Sequence, residues 1–248
     1  MTEFDNENKN ENEIEVYETF DSMNLDDNIL RGIYGYGFEF PSEVQKKGIM
    51  AVIKGQDTIV QAQSGTGKTA TFSISLLSKI TQEKTIQGII ISPTRELATQ
   101  SYKVIKSIGV HTDIVISLCI GGESVMSNID NIQQKKPQII VATPGRMLDL
   151  IEKRGLDTSN IKTLIVDEAD EMLSQGFKDQ MYLILQKMPE ELNISLFSAT
   201  IPKDMFDVSD KFMRNPLKIL VKNENLTLEG IKQYFIKLQR PEFKLDVL

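Results

Sequence analysis

Residues 57–80 read DTIVQAQSGTGKTATFSISLLSKI. DTIVQ is a short β-branched run, AQSGTGKT (62–69) is a glycine-bearing turn, and TATFSISLLSKI has the length and spacing of a helix. Gly65 and Gly67 let consecutive backbone N–H groups turn inward around phosphate oxygens, with Ala62, Gln63, Ser64 and Thr66 completing the loop. Lys68 is placed to reach the terminal phosphates. The Thr69 hydroxyl is placed to bind a magnesium ion at a helix N-terminus that is already partly positive. Ala62 stands where the GxxxxGK pattern has its first glycine, so the motif departs at that position. The alternative is a plain glycine-rich turn, and the strand before and helix after argue against it.

Outward from this stretch the same texture repeats. Apolar runs recur at QGIIIS (87–92), DIVISLCI (113–120), PQIIVA (137–142), IKTLIVDE (161–168), NISLFSA (193–199) and LKILV (217–221), with helix-like segments following. Helical spacing also precedes the turn, at Ile29, Leu30 and Ile33 and at Val44, Ile49 and Val52. Strands apolar on both faces belong in a mostly parallel sheet covered by helices on both sides, so the expected class is α/β. In such a fold ligands bind at the carboxyl ends of the strands.

One strand end carries an unusual load. LIVDEADEML (164–173) runs from an apolar strand into four carboxylates, Asp167, Glu168, Asp170 and Glu171. In a nucleotide-binding α/β fold, an acid closing a neighbouring strand holds the magnesium that bridges the β- and γ-phosphates, which is the place of Asp167. Glu168 then lies where a carboxylate can orient and deprotonate an attacking water. Metal and lysine supply the counter-charge. Preference for a helix N-terminus explains Asp170 or Glu171, but not an acid closing a buried strand.

Composition narrows the classes. The chain has 248 residues, 40% hydrophobic and 25% charged, ordinary for a globular protein with a core. Its longest apolar runs are far below the ~18 residues that span a bilayer, and the acidic N-terminus has no secretory character, so an intracellular protein, cytoplasmic or nuclear, is expected. The single cysteine, Cys119, excludes an internal disulfide and reads as core; the single histidine, His111, reads as a loop residue. The net charge of −7 is concentrated: residues 1–27 hold ten acids and one base, leaving 25 acids and 27 bases elsewhere. Residues 1–18 are expected to form an acidic disordered tail, 19–222 the folded domain, and 223–248 a linker with the first elements of a further domain.

DEAD at 167–170 and AQSGTGKT are joined, in order, by GFEFPSEVQ (37–45) with Phe20 upstream, PTRELA (93–98), Gly121-Gly122, TPGR (143–146) and SAT (198–200). Together these resemble the DEAD-box RNA helicases. FMRNPLKILVKNENLTLEGIKQYF and MLSQGFKDQ are similar to the translation initiation factor 4A group of that family.

The resemblance implies a RecA-like P-loop domain, the first of two, with ATP and Mg²⁺ as cofactors. It implies RNA as partner, alongside scaffold or initiation factors, and no membrane. Lys68 and Glu168 are the expected catalytic residues and Thr69 and Asp167 the expected metal ligands. The Gln45 amide matches the N6 and N7 edge of adenine. Phe20 is expected against the base face, and Phe40, basic in many relatives, near the nucleotide. Pro93, Thr94, Arg95, Gly121, Gly122, Thr143, Pro144, Gly145 and Arg146 are expected on the RNA sugar–phosphate backbone, where amides, hydroxyls and guanidinium groups converge on anions. Helix capping is the rival reading for each such loop. Asp170, Ser198 and Thr200 are expected to couple nucleotide state to RNA binding. The second domain's arginines are absent, so the chain alone is expected to be a poor RNA-dependent ATPase. An ATP-gated RNA clamp or partner-binding platform with slow turnover is the alternative with the same motifs.

Overall fold

The computed structural model describes residues 14–174 and 176–221. Among them the elements run α1 (Asp27–Tyr36), α2 (Glu43–Ile53), β1 (Thr58–Gln61), α3 (Lys68–Lys79), β2 (Gly88–Ile91), α4 (Arg95–Ile108), β3 (Ile116–Cys119) and α5 (Val125–Lys135). Then follow β4 (Ile139–Ala142), α6 (Pro144–Glu152), β5 (Thr163–Val166), α7 (Ala169–Ser174), α8 (Lys178–Leu185), β6 (Asn193–Ser198), α9 (Lys203–Phe212) and β7 (Leu217–Leu220). Every one of the apolar runs read from the sequence contains one of these strands. They form one sheet in the order β3-β4-β2-β5-β6-β1-β7, and each pairing is parallel.

Because side chains alternate across a strand, the inner strands of the sheet feed two cores. Ile89, Ile91, Leu164, Val166, Ile194 and Leu196 face one side, under α5 to α9. Ile90, Ile165, Val60 and Phe197 face the other, under α1 to α4. Continuous rather than alternating hydrophobicity is therefore what the two-sided burial requires.

Local chemistry fixes where helices start. The Asp26 carboxylate accepts the Asn28 N–H at 2.8 Å and opens α1, which ends at Gly37 with φ 100°. The Thr94 hydroxyl accepts the Leu97 N–H at 3.2 Å and opens α4, and Pro144 begins α6.

The last five residues of the expected acidic tail are attached to the domain. Tyr17 N–H donates to the Lys46 carbonyl at 3.1 Å, Glu15 pairs with Lys54 at 2.8 Å and Glu18 with Lys46 at 2.6 Å. Ile14 and Tyr17 pack on the α1–α4 core, which is the physical reason the acidic run is tied down there. Residues 1–13 and the segment 223–248, with its expected linker, lie outside the described residues. Among the described residues no helix is long and apolar enough to cross a membrane.

Candidate functional site

Strand order sorts the loops at the carboxyl edge. Those after β3, β4 and β2 lie side by side along one half, and those after β5, β6 and β1 along the other. The phosphate turn with Asp167 and Glu168, and the loops expected to hold RNA, thus occupy neighbouring halves of one edge.

On the nucleotide half, the turn after β1 opens into a cleft of about 270 Å³ lined by Ser64, Gly65, Gly67, Lys68, Thr69, Asp167 and Glu168, with Tyr36 from the end of α1, Phe38 from the loop after it and Leu97, Gln100, Ser101 and Val104 from α4. Gly65 and Gly67 have φ 81° and 104°, in the left-handed region that a side chain would strain. The turn is braced from outside: the Ser42 hydroxyl donates to the Thr66 carbonyl at 2.8 Å, and Thr66 Oγ1 donates to the Gln63 carbonyl at 2.7 Å. The buried Ala62 donates its N–H to the Ser198 carbonyl and accepts from Lys68 Nζ, both at 3.0 Å.

Lys68 lies beside Glu168, Nζ to Oε1 3.4 Å, so in this state the ammonium is shared between a carbonyl and the expected general base. Glu168 sits at φ 46°, an uncommon conformation for a residue with a side chain, of the kind that clusters at functional sites. Asp167 is buried. Its Oδ1 accepts the Glu168 N–H at 3.1 Å and its Oδ2 the Ser101 hydroxyl at 3.4 Å. Burial foremost, and then the neighbouring Glu168 charge, push the Asp167 carboxyl up from its ordinary 3.8 to about 7; Lys68 opposes them without winning. A buried carboxylate short of positive charge and the Thr69 hydroxyl face one cleft. These are hard oxygen donors that fit Mg²⁺, which takes one or two protein oxygens and completes its shell with phosphates and water. Among the described residues no group of three or more His, Cys, Asp or Glu side chains is arranged for a metal.

Asp170, Ser198 and Thr200 meet at the next strand end. Asp170 Oδ2 accepts from Thr200 Oγ1 at 2.7 Å and from its N–H at 3.0 Å, and the Ser198 hydroxyl accepts the Asp170 N–H at 3.3 Å while donating to the Thr200 carbonyl at 2.6 Å. Burial alone would raise the Asp170 carboxyl, but these hydrogen bonds outweigh it and hold it below the ordinary range.

Several expected residues are placed elsewhere. Phe20 is fully buried, edge-on to Tyr34 at 6.3 Å, and is a core residue rather than a base platform. The reason is hydrophobic: a short helical turn docks it under α1. Phe40 is 72% exposed and does not line the cleft. The aromatic faces at the cleft are Tyr36 and Phe38, 5.0 Å apart, which the reading missed; their alternation with Gly35 and Gly37 was the available signal. Gln45 is buried and turned to the protein, its Oε1 accepting the Ser42 N–H at 2.8 Å and its Nε2 facing the Gly67 carbonyl at 3.5 Å. In this state it braces the glycine turn.

On the other half, Thr94 caps α4 and Pro93 is buried, while Arg95 is exposed with its guanidinium over Gly121 and Gly122. A Cβ at Gly121 would stand 2.7 Å from Arg95 Nη2, so a side chain there would push the guanidinium aside. Thr143 precedes α6, and Pro144 and Gly145 are its first two residues. Arg146 differs from expectation: it is buried, donates from Nη2 to the Glu123 carbonyl at 2.7 Å and from Nη1 to Asn128, and stands 3.9 Å from Asp149. It faces inward because α5 offers it acceptors, so it clasps the loop after β3 instead of facing an outside phosphate.

A glycine turn between strand and helix, a lysine at its end and a carboxylate closing the strand beyond β6 define a P-loop nucleotide-binding domain of the RecA-like α/β class. A family model described as DEAD/DEAH box helicase matches residues 42–208. The chain belongs to that family. It is 53% identical over 235 residues to proteins named ATP-dependent RNA helicase eIF4A from Pyricularia oryzae and Aspergillus niger, covering 94% of this chain and 59% of each relative. Among solved structures it is similar to a DEAD box protein from the hyperthermophile Methanococcus jannaschii (TM-score 0.80, 38% identity, 84% of this chain and 57% of that one). It is also similar to a Saccharomyces cerevisiae Dbp5 variant bound to a Gle1 variant and IP6 (TM-score 0.77, 32% identity, 84% and 53%).

Proposed function

We propose that this chain is the ATP- and RNA-binding half of an ATP-dependent RNA helicase of the eIF4A type. It would work with Mg²⁺ and RNA, in company with protein partners such as scaffold or initiation factors. The observation that carries the reading is the juxtaposition of Lys68, Glu168 and Asp167 around one cleft at the carboxyl edge of the sheet. The glycine turn presents backbone N–H groups to the phosphates, and Lys68 leaves Glu168 to reach the terminal ones. Thr69 and Asp167 would hold the magnesium ion, which neutralises charge developing on the phosphates when bound. Glu168, freed from the ammonium, orients the attacking water and takes its proton. Thr94, Arg95, Gly121 and the loop before α6 meet sugar and phosphate rather than base edges, so sequence preference is weak.

Binding of a fluorescent ATP analogue and of single-stranded RNA to the purified chain tests this. Both bind, and Lys68→Ala removes most nucleotide affinity while leaving RNA affinity near that of the unaltered chain. Binding of neither ligand, or equal binding of ATP by Lys68→Ala, sinks the proposal.

A further inference from the structure

Ser92 follows β2 and Asp167 follows β5, and the pairing of Ile91 with Val166 makes the two cross-strand neighbours. Their chain predecessors by two, Ile90 and Ile165, both pack in the core under α1 to α4. Alternation therefore points Ser92 and Asp167 to that same side, with side-chain origins on the order of 5 Å apart. From above, α4 lowers Ser101, buried on the same helical face as Ala98 and Ile105, whose hydroxyl donates to Asp167 Oδ2 at 3.4 Å. That contact is long for an O–H···O bond. The Ser92 hydroxyl is fully buried and has no hydrogen-bond partner among the described residues.

A buried hydroxyl without a partner has given up its bonds to water for nothing, so here Ser92 weakens the fold. It gains a purpose only in a state that gives it an acceptor, and the carboxylate of Asp167 is the anionic acceptor on the neighbouring strand and the same face. Serine hydroxyls rotate freely and can each donate one proton. Resting on the ATP·Mg reading of the cleft, we propose that Ser92 and Ser101 are positioning residues for Asp167. With a magnesium-bound nucleotide in place, both hydroxyls donate to one carboxylate oxygen and leave the other aimed at the cation. Partners of this kind behind a ligating carboxylate change metal affinity by ~10–100-fold when removed. Because α4 begins at Thr94 and Arg95, the same helix that meets the Gly121-Gly122 turn carries Ser101 to the metal carboxylate.

The test is the affinity of a fluorescent ADP analogue for the 248-residue chain, measured with Mg²⁺ and with EDTA, in Ser92→Ala, Ser101→Ala and the double variant, beside their melting temperatures. The expected result is a gain from Mg²⁺ cut by ~10-fold or more, unchanged affinity in EDTA, and a Ser92→Ala melting temperature equal to or above that of the parent. Unchanged Mg²⁺ gain in both single variants overturns the proposal, as does a loss that appears equally in EDTA, which would mean a distorted cleft. A parent chain that binds nucleotide without any Mg²⁺ gain refutes the ATP·Mg reading itself, and the positioning role with it.

Discussion

Two residues of the site carry opposite electrostatic instructions. Asp167 is held well above the ordinary carboxylate range by burial, whereas Asp170, one turn on, is held below it by Thr200 and nearby amides. For Asp167 the consequence for stability has a definite sign. Below an unfolded value near 3.8 both states carry the proton, and above about 7 neither does. Between them the folded chain keeps a proton the unfolded chain releases, so stability falls as pH rises through that window. Urea unfolding without nucleotide or divalent ion is expected to show a loss of a few kcal/mol across this range, absent in Asp167→Asn. Adding Mg²⁺ and ADP should restore stability at the high end, because a cation favours the charged carboxylate. The two arginines of the other half should also separate. Arg95→Gln is expected to weaken RNA binding and lower the slope of log affinity against log salt by about 0.7, as one fewer phosphate contact on a single strand requires. Arg146→Gln should leave that slope unchanged and instead destabilise the fold by ~1–3 kcal/mol, read as a lower melting temperature, because the buried Asn128 side-chain carbonyl loses its donor. An unchanged melting temperature with a reduced slope would return Arg146 to the RNA surface.

At the scale of elements, α4 connects the two halves of the edge. Its N-terminus abuts the Gly121-Gly122 turn, its middle lines the nucleotide cleft, and its C-terminal end supports α1. That last contact leaves no slack: a Cβ at Gly32 of α1 would fall 1.8 Å from the carbonyl oxygen of Ile108. Backbone cannot rotate away as a side chain can. Gly32→Ala is therefore expected to lift α1 and cost ~1–3 kcal/mol or more, read as a lower melting temperature. Nucleotide affinity should fall with it, since Tyr36 ends α1 and Phe38 follows it at the cleft. The starts of α4 and α6 were legible in sequence, because capping at Thr94 and Pro144 acts locally. Thr94, Pro144 and Gly37 stand at helix ends in the structure as their chemistry directs. The direction a side chain takes was not legible. Phe20 and Phe38 are both aromatic residues beside a helix, yet one is in the core and the other at the cleft, which depends on what α1 packs against.

At the scale of the whole chain, residues 1–248 span about 59% of the length of the curated relatives they match. The 248-residue chain is accordingly expected to show RNA-stimulated ATP turnover far below that of a full-length eIF4A relative under the same conditions, and comparable turnover would contradict this. What the amino-acid order determined alone was the α/β class, the seven strands, the phosphate turn and the carboxylates that answer it. Those follow from periodicity and from backbone chemistry, which act between residues close in the chain. Only the tertiary structure decided that Lys68 rests on Glu168, that Gln45 and Arg146 turn inward, and that Ser92 and Ser101 stand behind Asp167. Each of these depends on which groups the parallel sheet and α4 bring together from distant parts of the chain, and on the cost of leaving a buried polar group without a partner.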